Sequence, residues 1–399
     1  MNIINRKPIY TTLLLLPYFF AVTGMLVLDS GDKKIIPLLL ISIVISIVIY
    51  KKEIISKNLF YPFIWLITLL SVYTIFSYYY HGASSREIRA LIGATLFLIM
   101  LPYKLLTQRA LRWIILIGTT TVCLNSLYFN VYIGVIRNTG YINPIPYATA
   151  CSMLSIIAFS LLIDNSKIKE KAIPLLAFLL SLPPIMLSEA RGVWLALAIS
   201  ILIVIATKCI KTPPTKHQFV LVLITTLISL PSGIYLFKDN VNARYNQTMY
   251  EIKMIQGNDY NTSIGVRLKL WQLTPDLFKQ KPLFGHGQNN EESLKDKLSK
   301  NIISKTIYIN ASRHYHNQYL DKMVKTGIIG LAFVIIMLIY PLTRLKHLQE
   351  HEKFIVIGST CLFFIAGLTD VPFNHPQPLM LYLLFLVPIC SRCKRITND

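Results

Sequence analysis

The chain has 399 residues, of which 54% are hydrophobic and only 15% are charged. Soluble domains carry about 25% charged residues, so this composition and the mean hydropathy of +0.52 exclude an ordinary water-soluble protein. The formal net charge of +21 would suggest nucleic-acid binding in a soluble chain, but here it is better explained by basic loops on the cytoplasmic side of a membrane.

Apolar runs long enough to cross a bilayer recur along the chain and predict about twelve membrane-spanning α-helices. The first run follows Arg6 and Lys7 but lacks a small-residue cleavage site, so we expect a retained helix rather than a signal peptide. The predicted spans are 10–28, 35–50, 59–79, 89–103, 113–134, 147–163, 173–188, 192–207, 218–237, 323–343, 354–370 and 378–390.

The basic residues alternate between the two sets of short loops. Twenty Lys and Arg residues fall on one side and six on the other, so the positive-inside rule puts both termini in the cytoplasm. The chain then divides into nine helices in 1–237, a large extracytoplasmic loop in 238–322, and three helices with a cytoplasmic tail in 323–399. A loop of about 85 residues is too long for a simple connection.

Apolar residues at three- and four-residue spacing predict helices inside this loop, at 241–256 and 265–279, and a further short helix is expected at 295–300. Arg267 and Trp271 share one face of the second helix. The planar guanidinium of Arg267 suits phosphate oxygens. The plainer alternative is an amphipathic helix lying on anionic lipid head groups.

Arg191 lies between two predicted spans, in Ser188-Glu189-Ala190-Arg191-Gly192. A charge at membrane depth is costly, so such a residue usually has a partner or faces a cavity. Two interpretations stay open at this point. Arg191 is either an anion clamp or an arginine paired locally with Glu189.

Histidine and aspartate residues near the last spans are candidates for acid–base chemistry. His314 and His316 are two residues apart and so do not share a helix face, and no metal-ligand motif is present, so no metal site is predicted. His316 is the candidate general base. Asp370, at the end of the eleventh span, is expected either to cap the interface or to orient a base or balance an arginine.

Three segments carry polar residues in a recognisable order: 188–192 before the loop, 267–271 with 282–287 inside it, and 316–320 running into 327–331 at its end. Taken together, they resemble the O-antigen ligase and polymerase superfamily of bacterial envelope biogenesis. The number of helices and the position of the long loop are similar over nearly the whole chain. One departure is Glu189-Ala190, where many members carry a serine before the arginine.

The resemblance implies an all-α integral membrane protein with a GT-C-like glycosyltransferase fold and a large helical periplasmic loop, in the bacterial inner membrane. The implied enzyme is an O-antigen ligase, which transfers O-antigen glycan from undecaprenyl pyrophosphate to a sugar hydroxyl of lipid A–core and so completes lipopolysaccharide. The implied reaction is metal-independent, inverts the anomeric carbon, and uses no cofactor, nucleotide or nucleic acid. Membrane lipids are the remaining expected partner.

Preorganised cations would stabilise the pyrophosphate leaving group, and a base would activate the acceptor hydroxyl. The predicted catalytic residues are therefore His316, Arg267 and Arg191, and the predicted substrate-binding residues are Arg86, Arg89, Trp271, Asn317 and Asp370.

Three other functions are compatible with the sequence. An O-antigen polymerase would use the same donor to extend a second lipid-linked glycan, and a related transferase would modify periplasmic protein. A secondary transporter would suit twelve spans and cytoplasmic termini, but the two similar halves that are typical of transporters are not evident.

Overall fold

The computed structural model describes residues 8–165, 167–213, 238–288 and 291–392, and every regular element in these ranges is helical. The described α-helices are α1 (Pro8–Val22), α2 (Gly24–Val27), α3 (Gly31–Asn58), α4 (Pro62–His81), α5 (Ser85–Met100), α6 (Gln108–Ser126), α7 (Pro144–Leu162), α8 (Ala172–Leu187), α9 (Arg191–Lys211), α10 (Lys238–Gln256), α11 (Ser263–Gln280), α12 (Glu291–Ser299), α13 (Lys305–Arg313), α14 (Gln318–Thr343), α15 (Glu350–Ala366) and α16 (Pro376–Cys390).

Eight helical segments of the described chain are long and apolar enough to cross a membrane. They coincide with the first three predicted spans, the fifth to the eighth, and the tenth. The other predicted spans that fall on described residues are the shorter helices α5, α15 and α16, of 16, 17 and 15 residues. The ninth, 218–237, lies outside the described residues. The helical architecture is therefore confirmed, and the eight long apolar helices are consistent with a multi-pass membrane protein, whereas the number twelve and the GT-C-like fold stay predictions.

The short helix α16 lies at the centre of the bundle. All of its residues are buried, and it packs against α1, α5 and α7. The Tyr18 hydroxyl of α1 donates a hydrogen bond to the Leu384 carbonyl at 2.7 Å. A helix that is apolar on every side is expected to be enclosed by others. Peripheral helices instead present large apolar side chains outward, as Val48 and Leu202 do.

The predicted loop helices are confirmed as α10, α11 and α12, and α13 is an additional one. The apolar faces of α11, α12 and α13 form a second core that includes Leu270, Leu277, Ile307 and Tyr315. This region packs on one end of the bundle, where α4 ends and α9 and α14 begin. We call this end the loop end.

A backbone connection joins the loop region to α14. Residues 281–288, which we call the docking segment, run beside a break in α14 at Gly327, where φ is +64°. The His286 amide donates to the Val324 carbonyl at 2.7 Å, and the Ile328 amide donates to the Pro282 carbonyl at 2.8 Å. These bonds satisfy backbone groups that the break releases from the helix.

Glycine is required at this break for two reasons. Residue 327 has a left-handed backbone, and a Cβ there would lie 2.1 Å from the Leu283 carbonyl oxygen. We expect Gly327→Ala to lower the free energy of unfolding by about 2–4 kcal/mol, from the unfavourable φ and the overpacking together. Thermal unfolding of the purified protein in detergent measures this.

Gly134 is the matched control, because its φ is +77° but a Cβ there would meet no atom within 4 Å. Gly134→Ala is expected to cost only the backbone part, about 1 kcal/mol. Equal losses of stability in the two variants would contradict the close approach at Gly327.

Candidate functional site

A polar cavity of about 240 Å³ opens at the loop end. The first residues of α9 and α11 contribute to its wall, so two helix N-termini meet there. Helix N-termini and guanidinium groups both favour anions, and together they make this cavity suited to phosphate oxygens. Four arginines line it, namely Arg137, Arg191, Arg244 and Arg267.

Two acidic residues hold two of these arginines in place. Arg191 contacts Glu251 at 3.1 Å and donates a hydrogen bond to the Thr248 hydroxyl. Arg244 contacts Glu189 at 2.9 Å. The expectation of a local pair between Arg191 and Glu189 is therefore wrong. Glu189 has a left-handed backbone, with φ +53°, and its carboxylate pairs with the neighbouring helix α10 instead.

Glu251 also fixes the position of α11. One of its carboxylate oxygens contacts Arg191, and the other accepts a hydrogen bond from the Ile264 amide at 2.8 Å. Ile264 is in the first turn of the helix that carries Arg267. Glu251 thus joins Arg191 to the helix that carries Arg267 through a single buried carboxylate.

We expect Glu251→Gln to lower the free energy of unfolding by about 1–3 kcal/mol, because a buried ionic hydrogen bond is lost and Arg191 is left without its counter-charge. Thermal unfolding in detergent measures this. The control is Asp296→Asn, because Asp296 pairs with Lys300 at 2.8 Å but both side chains are exposed. That change is expected to cost under about 1 kcal/mol. If Glu251→Gln were as stable as the wild type, the contacts of Glu251 with Arg191 and the first turn of α11 would not stabilise the fold as proposed.

The cavity has an excess of positive charge. Burial lowers the pKa of Arg267, the Asp370 carboxylate opposes this, and Arg191 lowers it further. Burial and neighbouring arginines also lower the pKa values of Arg137 and Arg244. Guanidinium groups stay protonated in proteins. An anion in the cavity would therefore relieve their mutual repulsion.

His316 and Asp370 lie together beside the cavity. His316 Nδ1 is 3.6 Å from Asp370 Oδ1, slightly beyond hydrogen-bonding distance, and His375 Nε2 is 3.9 Å from Asp370 Oδ2. Burial alone would raise the pKa of Asp370, but His316 and His375 lower it to about 2, so the group is a carboxylate. Thr369, the preceding residue, lines the arginine cavity, so the two sites adjoin.

His314 completes a cluster of histidines around this carboxylate. Its ring centroid lies 4.1 Å from that of His316. Burial, and then the neighbouring His316, lower the pKa of His314 to about 3, so the ring is neutral. Burial likewise lowers the pKa of His375, with Asp370 opposing the shift and Arg86 adding to it.

The sequence argument against a metal pair at His314 and His316 assumed that both residues lie on a helix, and this assumption is wrong. His314 and His316 do not lie on a helix. The backbone is extended at His314, with φ −166°, and left-handed at His316, with φ +48°, and this turns both rings to the same side. Ligand atoms of His314, His316 and Asp370 all lie within 4.8 Å of one another.

Trp271 and Asn317 make structural hydrogen bonds in this protein. The Trp271 indole donates to the Tyr315 carbonyl at 3.1 Å. The Asn317 side chain accepts from the first amides of α14 and donates to the Leu368 carbonyl. These bonds fix the backbone beside His316. The contact of these two side chains with substrate stays a prediction.

Arg86 and Arg89 lie on the first turns of α5 but have different surroundings. Arg89 pairs with Asp32 at 3.2 Å. Arg86 is exposed, and its charge acts on His375. Neither lines the arginine cavity. Of these two predicted substrate-binding arginines, Arg86 is therefore the one whose charge acts on a residue of the histidine cluster.

Residues 176–335 match the family described as O-Antigen ligase, Wzy_C. The match extends from α8 into α14 and includes Arg191, Arg244, Arg267 and His316. The fold has the long apolar helices of a multi-pass membrane protein, and its site residues fall within the matched region. This match supports membership of the O-antigen ligase superfamily for the part of the chain that it covers.

A curated relative is similar over part of the chain. It is an uncharacterized protein of Haemophilus influenzae, 27% identical over 226 residues, which cover 53% of this chain and 55% of the relative. The chain thus matches about half the length of that relative. The relative's description names no activity, so it adds no information on substrate.

Proposed function

We propose that this protein is an O-antigen ligase, which transfers O-antigen glycan from undecaprenyl pyrophosphate to a sugar hydroxyl of lipid A–core. The observation that carries this proposal is the arginine cavity directly beside the His316–Asp370 pair. Glycan transfer from a lipid pyrophosphate needs a site for the leaving anion and a base next to it, and the two adjoin at Thr369 and Asp370.

The donor pyrophosphate binds in the cavity between Arg191 and Arg267. As the bond between the anomeric carbon and the phosphate oxygen breaks, negative charge grows on that oxygen. Preorganised guanidinium groups and helix N-termini stabilise this charge without reorganising at the moment of reaction. Arg267 is well suited, since its buried Nε has no hydrogen-bond partner among the described residues.

The acceptor hydroxyl loses its proton to Nε2 of His316 as its oxygen attacks the anomeric carbon. Asp370 faces Nδ1 of the same ring, and a small closure of the 3.6 Å gap lets Nδ1–H donate to the carboxylate. That contact fixes the tautomer with a free lone pair on Nε2 and stabilises the imidazolium that forms. Attack from the side opposite the pyrophosphate inverts the anomeric carbon.

In this proposal the loop end faces the periplasm, the protein lies in the bacterial inner membrane, and both termini are cytoplasmic. Residues 238–322 form the periplasmic part, between the helices of 1–237 and those of 323–399. The reaction uses no metal, cofactor or nucleotide. The twenty-to-six asymmetry of basic residues supports this orientation.

A product assay tests the proposal. Purified protein in detergent is mixed with undecaprenyl-pyrophosphate-linked glycan and lipid A–core, with EDTA and without nucleotide, and the products are separated on a gel. We expect glycan on lipid A–core. Lengthened donor glycan would instead identify an O-antigen polymerase, which the same site chemistry would serve. The absence of any transfer, in an assay where a known ligase is active, would contradict both.

A further inference from the structure

The three ligand atoms at His314, His316 and Asp370 have the spacing of an open metal site. Zn²⁺ binds imidazole nitrogen and carboxylate oxygen at about 2.0–2.2 Å, so two ligands of one ion are roughly 3–3.5 Å apart. The contact between His316 Nδ1 and Asp370 Oδ1 is 3.6 Å, and the whole set lies within 4.8 Å. Small rotations of the His314 and His316 rings would bring all three onto one ion.

Two imidazole nitrogens in this cluster lack hydrogen-bond partners. Nδ1 of His314 and Nδ1 of His316 are both buried, and neither forms a hydrogen bond within the described residues. A buried ring nitrogen without a partner is unfavourable, because it has lost its hydrogen bonds to water. Coordination of a cation would satisfy both nitrogens at once.

The surrounding structure is suited to holding these ligands. The second Asp370 oxygen faces His375 Nε2 at 3.9 Å, and carboxylates that bind a metal are usually held by such outer contacts. The backbone between the two histidines is fixed on both sides. The Tyr315 amide donates to Asp321 at 3.0 Å, and its carbonyl accepts from Trp271 at 3.1 Å.

We propose that His314, His316 and Asp370 bind one Zn²⁺ ion, with a water molecule at the fourth position, and that the bound ion stops glycan transfer. The metal takes Nδ1 of His316, so the single proton of the neutral ring lies on Nε2. Nε2 then donates a hydrogen bond and cannot accept the proton of the acceptor hydroxyl. The inhibition rests on the proposed ligase function, whereas the binding does not.

Metal binding is tested first, without any substrate. The full-length protein in detergent is freed of metal with EDTA, exchanged into clean buffer and titrated with Co²⁺, whose visible absorption reports coordination, and then with competing Zn²⁺. We expect one ion per chain. His314→Gln is expected to weaken binding at least tenfold, whereas the exposed His347→Gln is expected to leave it unchanged.

Transfer is then measured with and without Zn²⁺. We expect Zn²⁺ to inhibit the wild type and EDTA to restore it, while His314→Gln keeps its transfer and resists Zn²⁺. The proposed metal site would be overturned if the protein did not bind one metal ion per chain, or if His314→Gln did not weaken metal binding. The proposed inhibition would be overturned if transfer required Zn²⁺, or if the transfer rate were the same with and without bound Zn²⁺. If the wild type transfers nothing either with or without Zn²⁺, the ligase proposal fails and the Co²⁺ titration still decides the site.

Discussion

Replacing His316 with alanine is expected to reduce glycan transfer to lipid A–core by about 10²–10⁴-fold, because general acid–base catalysis contributes that much. His316 is the histidine of the cluster that faces Asp370 through Nδ1 and can leave Nε2 for the acceptor. The loss is expected mainly in kcat, since proton transfer belongs to the transition state. Single-turnover measurements with saturating donor and acceptor give this value.

His347→Ala is the matched control, because His347 is exposed in a turn between α14 and α15 and does not belong to the cluster. Its transfer rate is expected to equal that of the wild type. The thermal stability of both variants shows whether the fold is kept. A folded His316→Ala protein that transfers within about tenfold of the wild-type rate would remove His316 from the role of base.

Arg267→Ala is expected to lower transfer by about 10²–10³-fold, by analogy with removing one donor from an oxyanion hole. Arg267 is partly buried, is affected by the charge of Arg191, and has an Nε donor without a hydrogen-bond partner in the described part of the chain, so we expect it to bind an anion in the cavity. Arg267→Lys is expected to recover only part of the rate, because an ammonium lacks the planar fork that binds two phosphate oxygens. Rates at several donor concentrations separate donor binding from the chemical step.

The exposed Arg109 is the control for Arg267, and Arg109→Ala is expected to transfer at the wild-type rate. If Arg267→Lys were fully active, a point charge would suffice and bidentate binding would be wrong. If Arg267→Ala affected transfer no more than Arg109→Ala, the pyrophosphate would have to bind outside the arginine cavity.

The helices could be predicted from sequence because each apolar run determines its own element, whatever it packs against. The eight long segments and the loop helices α10 to α12 lie where the periodicity indicated. The break at Gly327 could not be predicted in the same way. It depends on the docking segment, which lies far away in the sequence and meets α14 only after folding.

The site was only partly predictable, for a similar reason. Arg191 was identified because a charge between spans is costly. Spacing and family resemblance identified Arg267, His316 and Asp370. Arg137, Arg244, Glu251 and His375 were missed. Their relevance depends on which helix ends come together, as in the Arg244–Glu189 contact between α10 and the turn before α9. The one available signal was an arginine on the amphipathic helix α10, and exposed helices commonly carry such residues.

The docking segment has a consequence for biosynthesis. Chains are made from the N-terminus, so residues 281–288 leave the ribosome before Val324, Lys325 and Ile328, whose backbone groups they bond. Until those residues follow, the backbone groups of the segment that bond them have no partner in α14. A fragment cut after residue 317 would therefore lack the α14 residues that this segment bonds, and the region is better produced as part of the whole chain than as a separate fragment.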